Sequence, residues 1–453
     1  MIQIQEKLEV SRLGQLLQLA TAELDSDQNS LALTQPILQQ IREDARSQVQ
    51  ELALPTRQDE DWRFTDLSDL LQLEFQAPQP KRLKLGEIEG LCLPEATQSR
   101  LVFVNGFYAP NLSNVAGLPN EIFVGSLEQL PENLQARLGD YLAQQPGEQE
   151  VFTALNTAGL MDAAVIWVKK NQEVETPIHV LLISTADAQP ILTQPHVLVV
   201  AEAGSSARVI EHFATLAIGC SDQEMATPYL MNGVTELWLE ENAELKHIRL
   251  QRDSGRAFHI GRTAVSQARH SRYTCRAVSL GAKLSRHNLD IYQTGEGTET
   301  TLQGLALVEQ EQIADTHSSL LLNYPHGSCD QIHKVIADDQ GAAVFNGRVV
   351  VSQAAQLTNA NQLNRNLLLS PKARVNTKPQ LEIVADDVKC THGATVSQLE
   401  EDEIFYLQSR GLDIEASQQL LIDAFAGEIL NQLSLDSLKT MLTRCVACRV
   451  DSV

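Results

Sequence analysis

The chain has 453 residues, enough for two or three domains whose cores need no metal ion or disulfide to hold them together. Its 58 acidic residues outnumber 35 basic ones, and the formal net charge of −23 repels phosphate backbones and anionic membrane surfaces. DNA, RNA and lipid headgroups are therefore poor candidate ligands.

The N-terminus and the cysteines indicate a compartment. The opening MIQIQEKLEV carries early acidic residues and lacks the basic segment and apolar core of a signal peptide, and no apolar run reaches the length of a membrane span. We therefore expect a cytoplasmic protein with reduced thiols, because the cysteines are odd in number and scattered, unlike a secreted disulfide framework. They are Cys92, Cys220, Cys275, Cys329, Cys390, Cys445 and Cys448.

The first segment with a clear pattern is helical. In TQPILQQIREDARSQVQELALP, Pro36 suits a first helical turn and Pro55 ends the run. A small mixed segment follows, with LPTRQDEDWRFTDL, where Trp62 and Phe64 alternate with charges, and with LVFVNGFYAP, a short strand ending at a glycine turn. We assign residues 1–160 to an N-terminal helical and mixed domain. The helical stripe consists of Ile37, Ile41, Ala45, Val49 and Leu52.

The middle of the chain, residues 161–395, is predicted to be all β. Short alternating runs such as HVLLIS, SRYTCRAVSL and GAAVFNGRVVV are separated by polar turns, and helical periodicity is nearly absent. A sandwich, a barrel or a solenoid fits this pattern. We favour a solenoid, since the turns recur over far more chain than one sandwich needs, and the exposed strand edges of a solenoid require caps or a partner.

Residues 396–453 return to helical periodicity and form a predicted C-terminal helical domain. The stretch from Ser397 to Glu400 has the form of a capping box, and Gly411 is a natural stop for the first helix. Two further amphipathic helices follow, one with Leu420 and Ile429 on its apolar face and one with Leu438. These helices can serve as a cap, a docking surface or both.

The stretch KCTHGATV places a thiol and an imidazole two residues apart, at the junction between the β region and the helices. On a strand, Cys390 and His392 point to the same side, so both can approach one iron or zinc centre while leaving most of its coordination unfilled. The alternative is structural: Cys390 is a small buried hydrophobe and His392 makes a hydrogen bond in a turn.

Other candidate sites have weaker signals. The C-x-x-C of Cys445 and Cys448 allows a redox pair or half a zinc site, but no second pair matches it and a helix-face position is favoured. Asp386 and Asp387 are adjacent on a strand and face opposite ways, which argues against shared acid–base work. Because no phosphate loop, dinucleotide fingerprint or G-x-S-x-G motif occurs, the sequence lacks the parts of an ordinary nucleotide-dependent or hydrolytic enzyme.

Four segments in order resemble one family. ADDVKCTHGATVSQLEEDEIFYLQSRGL, LPTRQDEDWRFTDL, LVFVNGFYAPNLS and DTHSSLLLNYPHGSCDQIHKVIADDQGAAVFNGRVVV are similar to segments of the SufB/SufD family of the SUF iron–sulfur cluster assembly machinery. SufB-type chains have a cysteine in the strand region before the junction, and their junction reads more like H-E-A-T. Here NQLNRNLLLSPKARVNTKPQLEI has no cysteine and the junction reads K-C-T-H-G-A-T, so the SufD type is favoured.

The resemblance implies a fold, partners and a non-catalytic scaffold role without a permanently bound cofactor. The strands would form a right-handed parallel β-helix that pairs with a SufB-type subunit at its exposed end, and the C-terminal helices would dock a SufC-type ATPase. His392, and less directly Cys390, match positions thought to contribute to a nascent cluster or to iron at that interface. Phe405, Tyr406 and Arg410 are candidates for docking the ATPase, with packing of Phe405 against the body as the alternative.

Two other function classes remain open from the sequence. A β-helix enzyme acting on acidic polysaccharide would use carboxylates on the strand faces, although most such enzymes are exported. A structural homodimer whose helices only cover strand edges would have no affinity for an ATPase.

Overall fold

The N-terminal part of the chain combines helices with the first short strands. The computed structural model describes residues 2–22, 35–147, 150–185, 188–216 and 227–450, so Cys220 lies outside the described residues. The helix predicted around Pro36 is confirmed, with Ile41, Ala45 and Val49 buried. The elements are α1 (Ile2–Thr21), α2 (Gln35–Glu51), α3 (Ser68–Leu71), α4 (Leu85–Ile88), β1 (Arg100–Val104), β2 (Phe107–Tyr108), β3 (Ile122–Ser126), α5 (Glu132–Gln135) and α6 (Val151–Ala158).

The middle of the chain is a parallel β-solenoid. Successive strands alternate between two sheets, so every strand from β8 onward pairs in parallel with strands of its own sheet. The strands are β4 (Ala164–Val168), β5 (Ile178–Ser184), β6 (Ile191–Thr193), β7 (His196–Ala201), β8 (Ser206–Thr215), β9 (Tyr229–Leu239), β10 (Glu244–Asp253), β11 (Phe258–Gln267), β12 (Arg272–Gly281), β13 (Leu284–Gln293), β14 (Glu299–Val308), β15 (Ile313–Leu322), β16 (Ser328–Ala337), β17 (Ala342–Val351), β18 (Asn359–Leu368), β19 (Arg374–Ile383) and β20 (Lys389–Ser397).

The strands form two sheets of ten strands each in the described part of the chain. We call the one ordered β2-β1-β5-β8-β10-β12-β14-β16-β18-β20 sheet 1, and the one ordered β19-β17-β15-β13-β11-β9-β7-β4-β3, with β6 beside β9, sheet 2. Their strands pair in register, so identical positions stack along the solenoid. One interior ladder is apolar throughout, which explains why alternation with polar residues was visible in the sequence. It runs through Leu237, Val265, Ile291, Leu320 and Val349.

The C-terminal helices are α7 (Glu401–Ser409), α8 (Ile414–Leu430) and α9 (Asp436–Val450). Helices α8 and α9 pack on the outer face of sheet 1, where Ile429 and Leu438 join the apolar cluster of Ile248 and Leu305. The mainly β fold, with a parallel β-helix between helical flanks, is therefore confirmed.

The predicted capping box is wrong. Ser397 is the last residue of β20, where it pairs with Leu367 of β18, and helix α7 begins only at Glu401. Glu400 occupies the cap position without a side-chain capping hydrogen bond. Pairing with β18 satisfies the backbone beyond Ala394, which local capping propensity did not anticipate. The predicted stop holds, since Gly411 has a φ of 97° just after the helix.

Candidate functional site

Cys390 and His392 lie on β20, the last strand of sheet 1. Among the described strands it pairs with β18 alone, where Cys390 is level with Ala360 and His392 with Gln362. Both side chains belong to inward-facing columns, as the two-residue spacing predicted. They differ in exposure, because Cys390 packs half-buried against the interior cluster while His392 is exposed. The thiol thus lies inside the rim of the solenoid and the imidazole lies on it.

The environment of Cys390 keeps its proton in place. Burial raises the pKa of this thiol, and the backbone at Ala360 offsets the rise only in part. A thiol must lose its proton to bind iron, so cation binding here has to release that proton. Such a ligand binds weakly on its own and more strongly when further ligands help to hold the metal.

The rim around this pair is apolar and uncovered. Ile383 is 41%, Val384 58% and Val396 50% exposed, although corresponding positions in earlier turns are covered by the next turn. Strands β19 and β20 contact each other and close the final turn, and on one backbone edge neither of them pairs with a strand of the described residues. An uncovered edge with apolar side chains is a typical template for association with another chain.

Within the described residues, no group of three or more His, Cys, Asp and Glu side chains is placed to hold a metal ion. Cys390 and His392 can supply two soft or borderline ligands, whereas iron in a cluster takes four. The pair fits one side of such a centre and leaves the remaining positions to other groups.

The three docking candidates lie on α7, which projects from the body. Phe405 is 71% and Tyr406 57% exposed. Arg410 lies over the Tyr406 ring at 5.2 Å and its Nη2 donates to the Tyr406 hydroxyl at 3.2 Å. The alternative of Phe405 packing against the body is therefore wrong, and α7 presents an aromatic and cationic surface.

The segment LPTRQDEDWRFTDL has a structural role on the outer face of sheet 2. Trp62 is buried with the Arg286 guanidinium 3.9 Å above its ring, and Arg286 pairs with Asp315. Thr65 donates its hydroxyl hydrogen to the same carboxylate at 2.5 Å. This motif fastens the N-terminal domain to β13 and β15.

Sequence reasoning missed a charged network inside the solenoid. Glu211 is fully buried with His247 Nε2 at 3.3 Å and Arg249 Nε at 3.9 Å, and Arg249 Nη2 lies 2.6 Å from His259 Nε2. His259 Nδ1 contacts Asp253 at 2.8 Å. Sequence periodicity does not predict this network, because irregular turn lengths hide the stacking of the histidines. The parity of each strand would have shown which of them face inward.

The described cysteines are all free, as expected. In α9, Cys445 is buried against sheet 1 and Cys448 is exposed, which confirms the helix-face interpretation of the C-x-x-C pair. None of the helices in the described part of the chain is both long and apolar enough to cross a membrane.

Comparisons with known proteins agree with the fold. Residues 182–425 match the family model described as SUF system FeS cluster assembly, SufBD core domain, and residues 22–180 match the SufBD protein N-terminal region. An iron–sulfur cluster assembly SufBD family protein of Synechocystis is 50% identical over 413 residues, covering 91% of each chain.

Two relatives carry the name iron–sulfur cluster assembly protein SufD. The Escherichia coli protein is 33% identical over 416 residues, covering 90% of this chain and 92% of the relative. The Bacillus subtilis protein is 26% identical over 307 residues, covering 67% and 68%. The chain therefore belongs to the SufB/SufD family of the SUF iron–sulfur cluster assembly system.

Proposed function

We propose that the chain is a SufD-type, non-catalytic scaffold subunit that contributes His392 and Cys390 to a nascent iron–sulfur cluster or to its iron. The observation that carries this proposal is the placement of the two side chains on the exposed last strand. Two ligands at an open rim become useful when a partner supplies the missing thiolates. Mixed and incomplete ligation also suits a scaffold that has to release its cargo.

The proposed partner at this rim is a SufB-type paralogue, which would cover the apolar residues around β19 and β20 and extend the sheets. When isolated, the chain can use the same rim to form a homodimer. The relatives named for cluster assembly favour this function over the polysaccharide-active enzyme, and those named SufD favour the SufD type over the SufB type.

The proposed partner at α7 is a SufC-type ATPase. The exposed aromatic rings of Phe405 and Tyr406 are suitable anchors, since aromatic and arginine side chains dominate binding energy at protein interfaces. A movement of α7 can reach the solenoid through α8, because Lys334 of β16 donates to the Phe425 carbonyl at 2.8 Å and pairs with Glu428. ATP binding would thereby shift the contact between the paired subunits.

The cluster site is tested in the complex of three subunits. The chain is co-expressed with SufB-type and SufC-type partners, purified without oxygen and reconstituted with ferrous iron and a sulfur donor. We expect His392→Ala to assemble normally but to hold much less iron and acid-labile sulfide. The matched control is Thr391→Ala on the opposite face of the strand. A His392→Ala complex with wild-type iron and sulfide contents would remove the assignment.

The docking surface is tested by co-purification with the ATPase. Phe405→Glu places a charge in the proposed interface, and we expect it to abolish the recovery of the ATPase, with Arg410→Glu weakening it. Leu85→Glu is the control, since Leu85 is 53% exposed on α4. Unchanged recovery with both α7 variants would dismiss this surface.

A further inference from the structure

The interior directly beneath the rim contains a polar side chain without a partner. Gln362 of β18 is level with His392 in the sheet, so their α-carbons are separated by one strand spacing of about 4.8 Å. The side chain is 1% exposed, and neither its amide oxygen nor its amide nitrogen has a hydrogen-bond partner among the residues that the structure describes. Burying a carboxamide without a hydrogen bond costs free energy that burying a leucine side chain in the same position would not.

The opposite sheet makes room for this amide. Gly347 of β17 faces inward, and a β-carbon added to it would lie 2.1 Å from Gln362 Nε2 and 2.8 Å from its Cδ. The Gln362 side chain therefore extends across the interior and rests on the glycine. A side chain larger than hydrogen at position 347 would displace the amide from the interior beneath the rim.

A second unpartnered polar atom lies in the neighbouring strand. Thr377 of β19 follows Phe345 in the inward column of sheet 2, and its Oγ1 is buried with no hydrogen-bond partner in the described part of the chain. Strands β19 and β20 contact each other across the last turn. Thr377 lies in the inward column two residues before Pro379, which is level with Gly347. Gln362 and Thr377 therefore both face the interior at the open end of the solenoid, one from each sheet.

We propose that Gln362 and Thr377 form the floor of the site and donate hydrogen bonds to the sulfide or thiolate sulfur of iron held at Cys390 and His392. This inference rests on the proposed function. An amide N–H and a hydroxyl are donors to electron-rich sulfur, and hydrogen bonds to the sulfurs stabilise and tune iron–sulfur centres. The ligand completes the hydrogen bonding that the chain alone leaves unmade.

The experiment compares Gln362→Leu with Gln331→Leu in the reconstituted complex. Gln331 is the matched control because it occupies the same inward column one strand deeper, is fully buried, and has an Nε2 that no described residue hydrogen-bonds. Iron and acid-labile sulfide are measured after challenge with a ferrous chelator, together with the visible spectrum of the cluster. The urea midpoint of each full-length variant is measured separately, without iron.

For Gln362→Leu we expect a urea midpoint equal to or above that of the wild type, and cluster retention reduced about 10- to 100-fold, as for other groups that support metal ligands. Gln331→Leu should retain the cluster normally. Thr377→Val, which keeps the side-chain shape, provides a second variant, and we expect a smaller loss with an altered visible spectrum.

One outcome is that Gln362→Leu and Thr377→Val both keep the cluster and its spectrum as the wild type does, while His392→Ala loses the cluster. This outcome would contradict the proposed roles of Gln362 and Thr377 and would not contradict the proposed function. Wild-type retention in His392→Ala would overturn both. An equal loss of cluster in Gln331→Leu and Gln362→Leu would also contradict the proposed role of Gln362, because the loss would then come from general repacking of the interior.

Discussion

Buried polar groups have different surroundings in the inner turns of the solenoid and at its open end. Between β8 and β11, the charges of Glu211, Arg249 and Asp253 lie beside one another and beside His247 and His259. At β18 and β19, the amide of Gln362 and the hydroxyl of Thr377 have no partner in the described residues. Buried polar atoms without a partner in the described part of the chain also occur in the inner turns, as on His179 and His212. It is therefore the position of Gln362 and Thr377 next to the open rim that indicates a ligand.

In both regions a glycine leaves space for a long polar side chain. A β-carbon on Gly261 would lie 2.7 Å from Arg249 Nη2, much as one on Gly347 would meet Gln362. In each case the missing side chain leaves space for a long polar one from the opposite sheet. What differs is the hydrogen bonding, since the guanidinium lies beside His259 and Glu211 whereas the amide has no hydrogen-bond partner among the described residues.

The largest expected effect comes from breaking the paired network. Burial raises the pKa of Glu211, but His247, Arg249 and Thr235 outweigh it and the pKa is lowered, so the carboxylate is charged. Glu211→Gln leaves the facing cations without their partner, and we expect a loss of about 3–5 kcal/mol in the free energy of unfolding. Urea denaturation measures it, with Glu244→Gln on the surface as the control. A loss below that of the control would mean that the network is not held by charge.

A second paired charge lies outside the interior, beneath Trp62, and gives a pH dependence. Burial raises the pKa of Asp315, but Arg286 and other neighbours lower it overall from 3.8 to about 2. The Asp315 carboxylate therefore contributes about 2 kcal/mol to the free energy of unfolding. This contribution is complete above pH 3.8 and is lost as the pH falls toward 2. Asp315→Asn should be less stable at pH 6 and show less of this acid loss in denaturation curves. Parallel curves for both proteins would contradict the prediction.

Gly347→Ala tests how the Gln362 side chain packs at the open end of the solenoid. The new methyl group collides with the flexible Gln362 amide and also with the buried Phe345 ring, whose Cζ would lie 2.7 Å away, so we expect a loss of about 1.5 kcal/mol in the free energy of unfolding. Combining it with Gln362→Ala should recover the part of this loss that comes from the amide, which a double-mutant cycle measures. Gly393→Ala is the control, because its β-carbon would contact only Leu363, at 3.4 Å. Additive losses would show that the amide does not rest on the glycine.

The smallest expected effect is that of His392→Ala on stability. The imidazole is exposed on the rim, so its removal should change the free energy of unfolding by no more than about 0.5 kcal/mol. Urea denaturation of the isolated chain checks this, with Thr391→Ala as the reference. A large loss would place His392 among the structural groups of the inner turns.

The sequence alone determined the helical flanks, the all-β middle and the position of Cys390 and His392 on one face of a strand. These follow from local periodicity, because side chains on a strand alternate and those on a helix recur every third or fourth residue. Periodicity favoured a solenoid over a sandwich or a barrel, and resemblance then supplied the parallel β-helix, the family and the partners. The capping box failed because pairing of Ser397 with β18, 30 residues earlier in the register at Leu367, prevailed over a local motif.

Only the tertiary structure decided which polar residues share the interior. Turns of irregular length separate Gln362, Gly347 and Thr377 in the sequence, so no fixed sequence repeat predicts that they are neighbours. In-register stacking of two parallel sheets places them in neighbouring rungs and fixes which strand is last. The physical reason is that a missing hydrogen-bond partner depends on burial and neighbours in three dimensions, neither of which a residue's own identity specifies.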